Sequence, residues 1–133
     1  MKNKFYFTLI LAAALISNIQ IARATDVSGV IAVNTTWTAA ASPYVVTSFI
    51  TVNHGVTLTV QSGVTVKFND GQYMIANGII NATSAIFTSN NASPTPGIWQ
   101  YIQAGGTAAI DSGRVIMNNC QVLYAQQLYV RNG

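Results

Sequence analysis

Two carboxylates held a few ångströms apart can hydrolyse a glycosidic bond, and a thiolate beside a base can act as a nucleophile. This chain has little material for either. Its acidic side chains are Asp26, Asp70 and Asp111, with one histidine, His54, and one cysteine, Cys120. Asp70 sits in Asn69-Asp70-Gly71, Asp111 in Ile110-Asp111-Ser112-Gly113 and His54 in Asn53-His54-Gly55. All three contexts are turn chemistry, in which short polar residues and glycine accept tight backbone angles. Asp111 and Arg114 are close enough in sequence to share one corner, where they read as a solvated pair. No metal-ligand set, phosphate-cradling loop or nucleophile triad is present in the sequence, so no catalytic residue, metal site or cofactor is assigned.

Aromatic side chains offer the remaining chemistry, stacking on a saccharide ring. In Ile98-Trp99-Gln100-Tyr101-Ile102 a period of two places Trp99 and Tyr101 on one face and Ile98, Gln100 and Ile102 on the other. Facing outward, the pair makes a small binding strip beside a polar loop; facing inward, it is core. Trp37 has the same two readings, a sugar platform or a lid over apolar side chains at the start of the domain, and the lid is preferred. Cys120, in Asn119-Cys120-Gln121-Val122-Leu123, is either a small inward hydrophobe or an exposed thiol able to form an intermolecular disulfide.

The elements that hold these residues begin after a leader. Lys2 and Lys4 precede an apolar run from Phe5 to Ile16, and Ala22-Arg23-Ala24 is a small-x-small cleavage pattern. Residues 1–24 therefore read as a secretory signal peptide, with an apolar core shorter than the ~20 residues of a membrane-spanning helix. Without Lys2, Lys4 and Arg23, the cations Lys67, Arg114 and Arg131 balance three aspartates, for a formal net charge of zero. No basic surface remains to suggest a nucleic-acid partner. A single cysteine cannot staple residues 25–133, so backbone pairing and apolar packing must hold them.

From Thr25 on, short β-branched or aromatic segments alternate with Gly, Asn, Asp and Ser turns, and no apolar stripe has a helical period. Glycines at 55, 63, 71 and 78 return a turn every seven or eight residues. Three strand-turn units make a coil of about 23 residues, an offset that puts Phe49-Ile50-Thr51-Val52 under Tyr73-Met74-Ile75-Ala76. It also puts Val56-Thr57-Leu58 under Ile79-Ile80-Asn81, and Val64-Thr65-Val66 near Ala85-Ile86-Phe87. Like faces then stack on like faces, so the domain reads as all-β, a parallel β-helix of about four to five coils. An antiparallel sandwich or jelly roll is the alternative, since Asp70-Gly71 also suits a hairpin, but it has no need of constant spacing. Thr88 to Gly97 reads as a loop, and Gly55, Gly63, Gly71 and Gly78 as corners. Three Asn-x-Ser/Thr matches begin at Asn34, Asn81 and Asn91 and are expected by chance in so Asn- and Thr-rich a chain.

Several landmarks occur in an order that resembles a known group. Thr36-Trp37-Thr38, Ser42-Pro43-Tyr44-Val45-Val46 and the run Ile50 to Phe68 look like the opening of secreted right-handed parallel β-helix proteins, many of them bacterial or archaeal surface proteins. Ile86-Phe87-Thr88-Ser89 through Gly97-Ile98-Trp99 resembles their polar loop and Gly-x-Trp-like return to the coil. Asn118-Asn119-Cys120 to Tyr124-Ala125 resembles a later rung. The resemblance spans residues 28–133 and implies the right-handed β-helix fold. It implies function only broadly, because such proteins include adhesins, polysaccharide-active enzymes and parts of large surface proteins. They usually continue through further rungs, whereas this chain stops at Gly133 just after a strand at Leu128-Tyr129-Val130, so it reads as truncated at the C-terminus.

The expectation is therefore a non-enzymatic secreted or cell-surface module for structure or adhesion, with weak carbohydrate contact through Trp99 and Tyr101. Its partners would be a surface glycan or protein, or a second copy met through an uncapped last coil. An N-terminal fragment of a β-helix polysaccharide lyase or glycoside hydrolase is the alternative.

Overall fold

The computed structural model describes residues 23–105 and 113–129. They form twelve strands: β1 (Thr25–Ile31), β2 (Thr35–Trp37), β3 (Tyr44–Val52), β4 (Thr57–Val60), β5 (Thr65–Phe68), β6 (Met74–Ala76), β7 (Ile79–Thr83), β8 (Ile86–Ser89), β9 (Trp99–Ala104), β10 (Arg114–Asn118), β11 (Gln121–Val122) and β12 (Ala125–Tyr129). A single turn of 3-10 helix, Ala39–Ala41, lies between β2 and β3. All pairings among these strands are parallel, which excludes the sandwich and jelly roll. The fold is a right-handed β-solenoid of about four turns, the lower end of the number expected from the spacing.

Each coil has three faces. On the first, the opening halves of β1 and β3 are followed by β5, β8 and β11; on the second, the closing halves of β1 and β3 are followed by β6, β9 and β12. The third carries β2, β4, β7 and β10. Because β1 and β3 run on around the corner, the first two faces form one continuous sheet.

Alternation decides what lies inside. In β4 and β5 every second residue is buried, so Leu58, Val60, Val66 and Phe68 point inward while the threonines and Lys67 point out. Neighbouring coils repeat the pattern: Val66 pairs with Phe87, and Ile50 with Met74 and then Ile102. Stacking these inward columns makes one core from Trp37 to Ile102. Each buried aliphatic or aromatic side chain in such a core contributes roughly 1.5–3 kcal/mol relative to exposure.

The expected pairing of Ile50-Thr51-Val52 with Met74-Ile75-Ala76 is observed, as is that of Thr65 with Ile86. On the third face the register is one residue shorter than expected: Thr57, not Val56, lies beside Ile79, and Leu58 lies beside Ile80. The pleat supplies the reason. Leu58 and Ile80 are both buried, and a slip of one residue would set an inward column against an outward one.

Corners fall at the turn residues. Gly55, Gly63 and Gly71 all have positive φ there. Above Gly71 the corner is continued by Gly97 and then by Tyr124, whose φ of 64° is unusual for a residue with a side chain. Backbone bonds join this column, Gly71 N–H to the carbonyl of Ile98 at 2.8 Å and Gly97 N–H to that of Tyr124 at 3.1 Å. Gly78 serves differently. Its φ is ordinary, but a Cβ there would collide with the carbonyl oxygens of Val56 and Asn53 in the coil below. The polar stretch from Asn90 to Ile98 bulges from the corner between β8 and β9, so that Met74 pairs with Ile102, 28 residues on, where Ile50 to Met74 needs only 24.

Candidate functional site

The two aromatic residues singled out for saccharide contact do not share a face. Strand β9 bends after its first residue: Trp99 is buried, Gln100 and Tyr101 are both half-buried, and Ile102 is buried again. The period of two is broken at the corner, so Trp99 points inward and Tyr101 outward. Trp99 is fully buried against Phe68, with ring centroids 4.1 Å apart and planes within 5° of parallel. Its Nε1–H donates to the carbonyl of Leu123 in the next coil at 2.8 Å. The indole nitrogen thus has the partner a buried donor requires, and Trp99 is a core residue that ties two coils together.

Tyr101 has other company. It stacks on Tyr73 at 5.0 Å, and Tyr73 stacks on Phe49 at 5.8 Å, with interplanar angles of 28° and 14°. These separations lie near the ~4.8 Å that parallel strands set between coils. The three rings therefore form a column along the solenoid axis on the outer surface, where Phe49 is 41% exposed. Beside it three glutamines stand at successive levels: the main-chain N–H of Gln100 donates to the carbonyl of Gln72 at 2.9 Å, and the register of β12 on β9 places Gln126 level with Gln100.

The orientation of the rings limits what the column can bind. Their faces are turned toward one another, so the outward side of the column presents ring edges. A pyranose ring packs best on an aromatic face, and at the Phe49 end of the column the residue is 41% exposed. Phe49 and Tyr73 belong to this surface together with Tyr101. The signal for the first two is visible in the sequence, because they precede Ile50 and Met74, which pair across the coil boundary.

Trp37 lies on β2, which among the described residues pairs only with β4 and so stands first on the third face. It is 4% exposed and stacks on Tyr44 at 4.8 Å, while the Tyr44 hydroxyl accepts a hydrogen bond from Thr38 N–H at 3.0 Å. Cys120 is half-buried and packs against the core, its thiol 3.5 Å from the carbonyl of Asn118.

The remaining polar candidates are occupied or scattered. Both carboxylate oxygens of Asp70 accept from Asn91 Nδ2–H, at 3.3 and 3.1 Å, and Asn69 Oδ1 accepts from Asn90 Nδ2–H at 2.9 Å. These bonds bridge successive coils and make a short asparagine ladder. Asp26 lies on β1 and His54 is exposed at a corner. Asp111, and with it any pairing to Arg114, lies outside the described residues, as does most of the leader. Among the described residues no group of three or more His, Cys, Asp or Glu side chains could hold a metal ion. Nor is any helix among them long and apolar enough to cross a membrane.

No family model, curated protein or solved structure matches the chain. What is established is the class, a right-handed parallel β-solenoid.

Proposed function

We propose that the chain is an exported, non-enzymatic structural or adhesion module that acts through its outer surface and by association. The observation that carries this reading is the cross-coil use of outward side chains. Phe49, Tyr73 and Tyr101 stack on one another, Asn69 is bonded to Asn90, and Asp70 to Asn91. Side chains engaged in this way hold the coils in line and present a uniform, nearly uncharged strip. The leader pattern of residues 1–24 supports export to an extracellular or cell-surface location. Carbohydrate contact, in this reading, is a weak one along the edge of the aromatic column and its glutamines.

Association is the second part of the proposal. In the coil formed by β10, β11 and β12, Val115, Met117, Cys120, Val122 and Ala125 are only partly buried against the core, and Leu123, Tyr124 and Leu128 are 40–47% exposed. Among the described residues β10, β11 and β12 each pair on one side only, and in this reading a further coil, such as that of a second copy, stacks on the other. Size-exclusion chromatography with light scattering on the purified protein, with circular dichroism on the same peak, tests this. A concentration-dependent oligomer rich in β-structure is expected, and a strict monomer at high concentration would rule association out. Turnover of any polysaccharide in a panel of neutral and acidic glycans would overturn the non-enzymatic reading.

A further inference from the structure

The two ends of the solenoid resemble each other more than either resembles its sides. Among the described residues seven large hydrophobic side chains are exposed, and five of them stand in the first coil, β1 and β2 with the turn between them, or in the last, β10 to β12. Val30 and Val33, 57% and 72% exposed, belong to the first, and Leu123, Tyr124 and Leu128 to the last. The inward columns follow the same pattern. Val27 and Ile31 in the first coil are only partly buried, whereas Val46 and Val52, which pair with them, are fully buried. At the other end Val122 is partly buried beside fully buried Phe87. Among the described residues β1 and β2, like β10, β11 and β12, pair on one side only.

Extending the register by one step shows how two such ends meet. The second face carries the column Gly29, Ile50, Met74, Ile102 and Leu128. A second copy whose first coil lies on this last one brings its Gly29 beside Leu128. A Cβ at Gly29 would meet nothing within 4 Å, so the leucine side chain has room there. On the first face the same step sets Thr25 of the second copy beside Val122, and Asp26 beside Leu123. Every strand stays parallel to its neighbour, as within the chain, and each inward column continues. Turning the second copy over, so that two last coils meet, runs the strands antiparallel and breaks the columns. A whole coil of about 23 residues also supplies the ~20–30 residues a side that a stable interface uses.

We propose that copies of this chain stack head to tail, the first coil of one on the last coil of another, into an open-ended filament. The proposal rests on the association read above and on removal of the leader, which leaves β1 free to receive a strand in the exported chain. It goes beyond that reading by naming the surface that the last coil meets. A contact between two different surfaces does not close on itself, so each added copy presents a fresh last coil to the next.

Two variants of the exported protein test the order of stacking, Asp26→Cys and Leu123→Cys, each combined with Cys120→Ala so that it carries one thiol. Both positions are exposed, so circular dichroism should show the β-structure unchanged. With ~4.8 Å between paired strands, the two thiols come within reach of a short bismaleimide. Only the mixture of the two proteins is expected to give a cross-linked dimer, and neither alone. Both cysteines in one chain should give a ladder of covalent multiples. Light scattering on the unsubstituted protein, which needs no variant to fold, should show a mass that rises with concentration past that of two chains. A cross-link in the Leu123→Cys protein alone, with a mass that stops at two chains, is a tail-to-tail dimer; it overturns the head-to-tail order while association stands. A growing mass with no cross-link in the mixture places the contact elsewhere and overturns the proposal likewise. A strict monomer at high concentration overturns association itself, and this proposal with it.

Discussion

Replacing Trp99 with phenylalanine separates a core role from a surface role at the residue where the two readings diverge. The substitution removes the indole N–H that donates to the Leu123 carbonyl at 2.8 Å. Because Leu123 is 42% exposed, the bond lost is worth about 0.5–1.5 kcal/mol. The smaller ring also withdraws roughly 40 Å² of apolar contact, about 1 kcal/mol at 25 cal/mol per Å². The expected loss is therefore about 1.5–2.5 kcal/mol, and Trp99→Ala should cost about 3–5 kcal/mol because it also leaves a cavity beside Phe68. With a urea slope of about 2 kcal/mol per molar, the phenylalanine variant should unfold at a midpoint about 1 M lower. Equilibrium urea unfolding followed by far-ultraviolet circular dichroism reads this directly. An unchanged midpoint, or acrylamide quenching of Trp99 as effective as that of free tryptophan, would refute the placement of this side chain between two coils.

Three other substitutions probe the devices that hold the coils together. Tyr73→Ala removes the middle ring of the outer column and both of its stacking contacts, each worth about 0.5–1.5 kcal/mol, so a loss of about 1–3 kcal/mol in urea unfolding is expected. Gly78→Ala places a methyl group against two carbonyl oxygens and should abolish the folded signal or lower its melting temperature by more than Tyr73→Ala does. Tyr124→Asn keeps the left-handed corner with a residue that tolerates it, and should raise stability by about 0.5–1 kcal/mol in the same assay.

The solenoid was legible because its two signals are short-range. Alternation marks inward residues such as Leu58 and Val66, and the return of glycine every seven or eight residues marks the corners. The coil offset followed to within one residue. The missing residue on the third face needed the added condition that buried Leu58 lie beside buried Ile80. The candidate site was harder to see. A strict period of two fails where a strand turns a corner, and β9 turns between Trp99 and Ile102, so the two aromatics part company. Tyr101 finds Tyr73 only because the extra residues of the polar loop are excluded from the coil, which no spacing in the sequence announces.

The bulge from Asn90 to Ile98 has a use of its own. It shows that a coil can lengthen at this corner while Met74 and Ile102 keep their pairing. Closing a longer loop costs little, about 0.6 kcal/mol for each doubling of its length. A foreign peptide grafted between Asn91 and Pro96 would therefore project sideways from an undisturbed rod, as on a display scaffold. The same peptide inserted at Gly78, where backbone meets backbone, would have nowhere to go.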